Sequence, residues 1–376
     1  MLFNAIFLLG AIHGLVLALL LASKKVNQLS NRIMGALMLV FSIDLAMASY
    51  LGFGAYQDFP HAIGLDYPIT LLYGPLLYLY SKTLINAQTR MTPKDWSHLS
   101  AFGLLLIFSI PFYLLTGQEK IDSISAEGGL MYGSAFITHI KLGYNLIYIA
   151  FILRLVRDYK NQLKNNFSSL DKRNLDWLQW FIFGIVVLAL MATVLHYMSS
   201  VYGENVMYTN INLLGITIYV YSIGYMGLRQ PEFFADFSTL SHSESVTDSK
   251  PAPSYSRSGL DEQSGKELMA RLTEMMEDEK PYMNNELSLK DLSETAGIST
   301  HNLTEIINSY AGKNFYDFIN SYRVEEVKKR IMEPGSDNLT MLALGLEAGF
   351  NSKSSFNSVF KKHTGMTPSE YKRSLN

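Results

Sequence analysis

The sequence predicts an all-α protein in two parts: a bundle of seven transmembrane helices over residues 1–229, and a helical module at the C-terminal end with two helix-turn-helix units. Three observations predict it. Seven apolar stretches occur before residue 230, each close to the 20 or so residues that cross a hydrocarbon core of about 30 Å as a helix. After Arg229 the composition shifts abruptly to Ser, Thr, Pro and scattered charge. From Ser288 onward helix-start and helix-stop signals recur at short intervals, and one pattern occurs twice.

Composition narrows the choices further. The 376 residues are 48% apolar and only 17% charged, which speaks against a fully water-soluble single domain. Residues 1–229 carry 15 Lys+Arg and 11 Asp+Glu, whereas residues 230–376 carry 16 and 22, so a net of -2 covers a positive front and a negative back. Cysteine is absent, which excludes disulfide scaffolds, thiolate zinc sites, iron–sulfur clusters and cysteine nucleophiles. No catalytic residues, metal site or cofactor are expected.

The apolar stretches run from about Leu2 to Ala22, Ile33 to Leu51, Pro68 to Ile85, Leu99 to Thr116, Leu130 to Leu155, Trp177 to Tyr197 and Ile211 to Leu228. Seven buried core helices would need polar faces that these stretches lack. Pro75 and Pro111 are expected kinks, and the Gly10–Gly14 spacing suits close helix packing. Basic residues cluster in alternate loops: Lys24, Lys25 and Arg32 in the first, Lys82, Arg90 and Lys94 in the third, and Arg154, Arg157, Lys160, Lys164, Lys172 and Arg173 in the fifth. The remaining loops hold only Lys120. Because basic loops stay in the cytoplasm, the N-terminus is expected outside and the C-terminal part in the cytoplasm. The first stretch reads as an uncleaved anchor.

Polar side chains near mid-bilayer are costly, at roughly 3 kcal/mol or more for an ionised one. His13, Asp44, His139 and Lys141 are the candidate intramembrane polar site. An Asp44–Lys141 pair would neutralise both charges, either as a structural ion pair or as part of a ligand site or proton-sensitive switch. Residues 230–260 read as a flexible cytoplasmic linker, with an end-to-end distance of about 30 Å as coil and a reach near 100 Å when extended. A connecting helix is expected over 261–280, with Leu268, Leu272, Met275 and Met276 at helical spacing.

The module occupies 281–376. Ser288 with Asp291 forms a capping pattern and Gly297 a stop; Ser299 caps a second helix that Gly312 closes. A longer helix follows from about Asn314 to Met332, ended by Pro334-Gly335. The pattern then recurs, with a start at Thr340, a turn at Gly349 and a cap at Ser352. Thr367-Pro368-Ser369-Glu370 combines a capping box with a first-turn proline. In the first proposed recognition helix Leu303, Ile306 and Ile307 face inward, leaving His301, Thr304, Glu305 and Asn308 outward. In the second, 53 residues on, Phe356, Val359 and Phe360 face inward and leave Ser354, Asn357, Ser358 and Lys361 outward. Short amide and hydroxyl side chains can read base edges, and Lys353, Lys361 and Lys362 suit phosphates.

Tyr322-Arg323-Val324-Glu325, the run Ala348-Gly349-Phe350-Asn351-Ser352-Lys353-Ser354-Ser355-Phe356, Phe360-Lys361-Lys362, and Thr364-Gly365-Met366-Thr367-Pro368-Ser369-Glu370-Tyr371 together closely resemble the AraC/XylS family of bacterial transcription regulators. The resemblance covers about residues 285–376. It implies a seven-helix module with two helix-turn-helix units whose recognition helices enter successive major-groove segments of double-stranded DNA. By position it puts base contacts on His301, Thr304 and Glu305 in the first unit and on Lys353, Ser354, Ser355 and Ser358 in the second. Glu305 departs from the basic or amide residue common in the family. Fusion to a seven-helix membrane region resembles an arrangement found in some bacterial regulators.

These readings lead to one expectation: a membrane-embedded one-component transcription factor that senses an outer or intramembrane signal, from a ligand or a protein, and binds DNA as a homodimer. A transporter or membrane enzyme with a regulatory DNA-binding tail is the alternative, and release by proteolysis in the linker is a third possibility.

Overall fold

The computed structural model describes residues 1–125, 135–171, 176–203, 206–229, 262–334 and 338–375. The expected linker at 230–260 lies outside these residues, as do 130–134 of the fifth apolar stretch, Lys172, Arg173 and Gly335. The described residues form helices and turns, with one isolated antiparallel bridge between Phe167 and Ser288. The chain divides into two compact units: Met1–Val156 with Leu175–Val246, and Arg157–Asn174 with Thr247–Asn376.

The helices of the first unit are α1 (Leu2–Ser23), α2 (Gln28–Gly52), α3 (Tyr73–Ile85), α4 (Pro93–Ser97), α5 (Ser100–Tyr113), α6 (Gly117–Ser125), α7 (Ala135–Asn166) as far as Val156, α8 (Asp176–Tyr202) and α9 (Val206–Arg229); α7 from Arg157 onward belongs to the second unit. Helix α2 is the axis, packed against α1, α3 and α9, and α8 packs on α9. Helix α1 buries Phe7, Gly10, Ala11, Gly14, Ala18 and Leu21, a narrow stripe at three- and four-residue spacing. The small residues in it permit close approach: a Cβ on Gly14 would lie 2.5 Å from Ser42 Oγ, and one on Gly35 of α2 would lie 2.9 Å from the Ala18 carbonyl. The other face of α1, including Leu8, Leu9, Ile12, Leu15, Val16 and Leu19, is apolar and exposed.

The expectation of seven spans is corrected. Among the described residues, four helical stretches are long and apolar enough to cross a membrane, Leu2–Ser23, Gln28–Gly52, His139–Asn166 and Leu178–Ser199, or five if a bent pair is taken as one span. The third apolar stretch begins in 3-10 turns over Ile69–Leu72 and leaves α3 with 13 residues, about 20 Å of helix. Its apolar residues are spent on packing instead: Leu76, Leu77, Leu79, Tyr80 and Leu84 are buried. Pro75 lies in the first turn of α3, where a missing N–H costs nothing, so it starts this helix rather than kinking it. The fourth stretch ends at Tyr113, two residues past Pro111, and the chain bends by 113° into α6. The seventh lies in α9, whose Thr209, Asn210, Asn212 and Thr217 dilute its apolar character.

The second unit holds α10 (Glu262–Asp278), a 3-10 turn at Pro281–Met283, α11 (Leu289–Ala296), α12 (Thr300–Tyr310), α13 (Phe315–Ile331), α14 (Met341–Glu347), α15 (Lys353–Thr364) and α16 (Pro368–Leu375). The punctuation in the sequence sets these bounds. Side-chain oxygens of Ser288, Ser299, Asn314, Thr340 and Ser352 each accept the N–H three residues on, each contact contributing about 1 kcal/mol. Ser288 with Asp291 is a full capping box, and Thr367 and Glu370 exchange the same pair of bonds. Gly297 stops α11 with φ 66° and Gly365 stops α15 with φ 80°, a conformation glycine adopts without strain.

Two apolar cores result. Phe315, Phe318 and Ile319 of α13 join Leu272 and Met276 of α10, Leu292 of α11 and Leu303, Ile306 and Ile307 of α12. Val324, Val327 and Ile331, further along α13, join Leu344, Phe350, Phe356, Val359 and Phe360. One long helix thus serves both cores, and each large side chain buried there stabilises by about 1.5–3 kcal/mol.

The junction between the cores is polar. Arg323 of α13 is 1% exposed, and burial draws its guanidinium down to about 10, which leaves it cationic at neutral pH. Glu326, one turn on, accepts hydrogen bonds from Arg330 Nε at 2.9 Å, Lys280 Nζ at 3.1 Å and the Tyr282 hydroxyl at 3.1 Å. Burial pulls its carboxyl up, but these donors outweigh burial and hold it below the ordinary 4.5. Gly349 has φ 98°, and a Cβ there would sit 2.4 Å from the Tyr282 carbonyl oxygen and 3.0 Å from Arg323 Nε.

Two tests follow from this junction. Gly349→Ala combines a disfavoured φ with a backbone clash and is expected to destabilise the second unit by about 2 kcal/mol or more; faster hydrogen exchange across α13–α15, read by mass spectrometry, measures it. Because Glu326 is held below its unfolded value, its contribution to stability is complete above pH 4.5 and is lost as pH falls through the lower folded value. Acid titration of thermal stability should therefore show a loss below pH 4.5 that Glu326→Gln flattens.

Candidate nucleic-acid interface

Helices α11 and α12 form one tight pair and α14 and α15 another, and the same register governs both. In each, the three apolar anchors at i, i+3 and i+4 fix the rotation of the second helix. In α12 these are Leu303, Ile306 and Ile307, all 0–1% exposed; in α15 they are Phe356, Val359 and Phe360, 0–4% exposed. Close approach in the second pair rests on Gly345 of α14, where a Cβ would come within 2.8 Å of the Phe356 ring.

With the anchors fixed, the opposite faces follow. His301 and Asn308 of α12 are exposed, and Thr304 and Glu305 between them are half-buried. Thr304 donates its hydroxyl to the Thr300 carbonyl at 2.8 Å, which leaves its oxygen lone pairs for an outside donor. On α15 Lys353, Ser354, Ser358 and Lys361 are exposed, whereas Ser355 and Asn357 are half-buried. Ser355 lies beside Tyr316 of α13, and its half-burial shows that this side chain is turned partly into the module. Lys362 pairs with Asp317 at 2.7 Å on an exposed surface, an interaction of at most about 1 kcal/mol that salt screens. His363 lies just beyond, and burial lowers its imidazole below the usual histidine range.

The four polar residues singled out upstream do not converge. Asp44 accepts a short hydrogen bond from the Tyr73 hydroxyl and borders a cavity of about 290 Å³ that Tyr208, Thr209, Asn212 and Ser199 also line. Lys141 donates to the Tyr67 carbonyl at 2.6 Å and stands 3.4 Å from the centre of the Tyr67 ring. No Asp44–Lys141 ion pair forms among the described residues. His13 stacks on Tyr221, with ring centres 4.4 Å apart and planes 6° from parallel, and its buried Nε2 has no hydrogen-bond partner among the described residues. His139 is exposed.

Several polar partners went unnoticed in the sequence. Tyrosines, abundant at 23, meet each of Asp44, Lys141 and His13. Asn145 accepts from the Gly74 N–H at 2.8 Å and donates to the Thr70 carbonyl at 3.1 Å, fixing the start of α3. Lys120, the lone basic residue counted in the outer loops, is 1% exposed and donates to the Tyr113 and His61 carbonyls. Only its isolation among apolar segments could have hinted at this. No group of three or more His, Cys, Asp or Glu side chains able to hold a metal occurs among the described residues.

Residues 292–374 match a family model described as a helix-turn-helix domain. Among similar proteins, an uncharacterized HTH-type transcriptional regulator of Staphylococcus aureus (strain COL) is 32% identical over 91 residues, 24% of this chain and 12% of that protein. A counterpart in strain MRSA252 matches to the same extent. The probable transcription factor PqrA of Proteus vulgaris is 25% identical over 89 residues, 24% of this chain and 70% of that protein. The chain thus spans about an eighth of the length of the staphylococcal relatives it matches. No solved structure matches it. Its C-terminal portion contains a helix-turn-helix domain similar to those of transcription regulators.

Proposed function

We propose that the chain is a membrane-embedded one-component transcription factor of AraC/XylS type, in which anchored helices respond to an outer or intramembrane signal and a cytoplasmic module binds double-stranded DNA sequence-specifically. The observation that carries this reading is the match of residues 292–374 to a helix-turn-helix domain in the same chain as four long, apolar helices. The relatives' descriptions as transcriptional regulators support it. Catalysis has no part in it.

The lipid assignment is supported by the exposed faces. Leu8, Leu9, Ile12, Leu15, Val16, Leu19 and Leu20 of α1, with Leu190 and Val194 of α8, present apolar surface, which is unfavourable in water by about 25 cal/mol per Å² and neutral in lipid. Lys24, Lys25 and Arg32 follow α1 and Arg154, Arg157, Lys160 and Lys164 line the end of α7, which favours a cytoplasmic location for both ends. Residues 157–171 pack in the same compact unit as the module, in keeping with a cytoplasmic module. The cavity beside Asp44 is the candidate seat of the signal.

In the DNA reading α12 and α15 are the recognition helices of two helix-turn-helix units. His301, Thr304, Glu305 and Asn308 line one groove-facing surface; Lys353, Ser354, Ser355, Asn357, Ser358 and Lys361 line the other. Hydroxyl and amide groups there read base edges, and the lysines hold phosphates. With 9 Lys+Arg against 6 Asp+Glu over residues 321–376, affinity is modest and salt-sensitive, and tethering two copies at one membrane raises their local concentration enough for a homodimer to act.

Three measurements test these readings. The intact protein should stay in the membrane fraction through alkaline extraction and mark discrete chromosomal sites when cross-linked in cells; release into the aqueous phase refutes the anchor, and unselective occupancy refutes the regulator. Lys353→Ala and Lys361→Ala should each weaken binding to all sequences alike and reduce the slope of log affinity against log salt by about 0.9. Ser354→Ala should leave that slope unchanged while relaxing the preference at one base position by about 1 kcal/mol, read by competition binding with single-base variants of the selected site.

A further inference from the structure

Within the second unit, the segment that directly follows α7 is set into the module. Phe167 pairs with Ser288 in the isolated antiparallel bridge. Ser168 and Ser169 are only 1% and 5% exposed. The Ser168 N–H and hydroxyl both donate to the Leu287 carbonyl, at 3.1 and 2.7 Å. Its own carbonyl accepts from Asn320 Nδ2 at 3.1 Å and Arg323 Nη1 at 3.0 Å, and its hydroxyl oxygen accepts from Arg323 Nη2 at 3.0 Å. Asn351 Nδ2 donates to Ser169 Oγ at 2.7 Å. All polar atoms of Ser168 are thereby used.

The socket draws on residues beside both helix pairs. Asn320 and Arg323 belong to α13 between its two core-facing halves, Leu287 precedes α11, and Asn351 directly precedes Ser352, the cap of α15. Arg323 also donates to the carbonyls of Tyr282 at 2.7 Å and Asn284 at 2.8 Å and to Asn320 Oδ1 at 3.1 Å. Removing the segment would leave a buried cation short of two oxygens, a costly state that favours either full seating or rearrangement of the junction.

We infer that this socket is a docking surface for the chain's own Phe167–Ser169 segment, and that seating of the segment fixes the setting of α12 against α15. The inference rests on the reading of the module as a DNA binder. The seated form is the binding-competent one, because His301, Asn308, Lys353, Ser354, Ser358 and Lys361 all stay exposed while the segment is in place. A change of state in the helices upstream reaches the module through the end of α7 rather than through the linker, by holding or withdrawing Ser168.

The absence of cysteine makes the test direct. In the full-length protein in membrane vesicles, Ser169→Cys with Asn351→Cys is treated with a short bifunctional thiol reagent, and Phe167→Cys with Ser288→Cys, facing positions of an antiparallel pair, with oxidant. Single-cysteine variants, and Ser169→Cys combined with exposed Leu339→Cys, are the controls. Rapid intramolecular cross-linking in either double variant, absent in the controls, is the expected result, and the cross-linked protein should bind the selected DNA site at least as tightly as the untreated one. Ser168→Pro, which removes the N–H and the hydroxyl, should weaken that binding about tenfold or more. Failure of both pairs to cross-link while each single thiol is labelled overturns the docking, and bonds formed only between two chains overturn the assignment to the same chain. Cross-linked protein that loses DNA binding overturns the competence of the seated form. If the wild type selects no DNA sequence, the proposed function fails and the cross-link alone decides the docking.

Discussion

The second unit depends on how one buried cation is satisfied. Arg323 has five N–H donors and each meets an oxygen: the carbonyls of Tyr282, Asn284 and Ser168, the Asn320 amide oxygen and the Ser168 hydroxyl. Among the described residues no carboxylate pairs with it; the compensation is entirely from neutral dipoles, with the Phe350 ring 5.9 Å away. Such an arrangement is favourable only when complete, since an unmet donor inside a protein is more expensive than the bond it would have made is favourable. The oxygens come from three separate stretches of chain, so satisfying one side chain draws the turn before α11, the middle of α13 and the segment after α7 to a common point. Gly349 is glycine for the same reason, as a side chain there would intrude on the Tyr282 carbonyl and on Arg323 itself.

Around that point the two apolar cores divide the labour. Helix α13 carries Phe315, Phe318 and Ile319 into one and Val324, Val327 and Ile331 into the other, and a continuous helix is stiff over that length. The distance between α12 and α15 is therefore set by helix geometry, and their rotation by the anchors Leu303, Ile306 and Ile307 on one side and Phe356, Val359 and Phe360 on the other. In the first unit the organising device is different: small residues, Gly10, Gly14 and Gly35, let backbones approach where large apolar side chains are turned outward.

Local signals in the sequence were readable because they act over three or four residues. The caps at Ser288, Ser299, Asn314, Thr340 and Ser352, the stop at Gly297, the turn at Gly349 and the inward stripes of α12 and α15 all appear as expected. The apolar stretches were harder. Length and hydrophobicity do not separate a lipid-crossing helix from a buried one, and the third stretch, broken by 3-10 turns and started by Pro75, packs inside the first unit. Charge told only part of the story as well: Asp44 and Lys141 act on each other at a distance, but their hydrogen bonds go to the Tyr73 hydroxyl and the Tyr67 carbonyl. Ser355, which the helical register did not place among the outward residues and which only the family resemblance put at a base contact, is half-buried. Contacts between Ser168 and Arg323 join positions 155 residues apart, and no short-range pattern announces them.

The order of these residues along the chain has a consequence for biosynthesis. A ribosome delivers Ser168 well before Leu287, Asn320 and Arg323, and chains fold from the N-terminal side as they emerge. The segment that supplies two of the guanidinium's five oxygens is thus already made when the last quarter of the polypeptide, which holds the rest of the socket, appears. The earlier part acts as a template on which the nascent C-terminal portion closes.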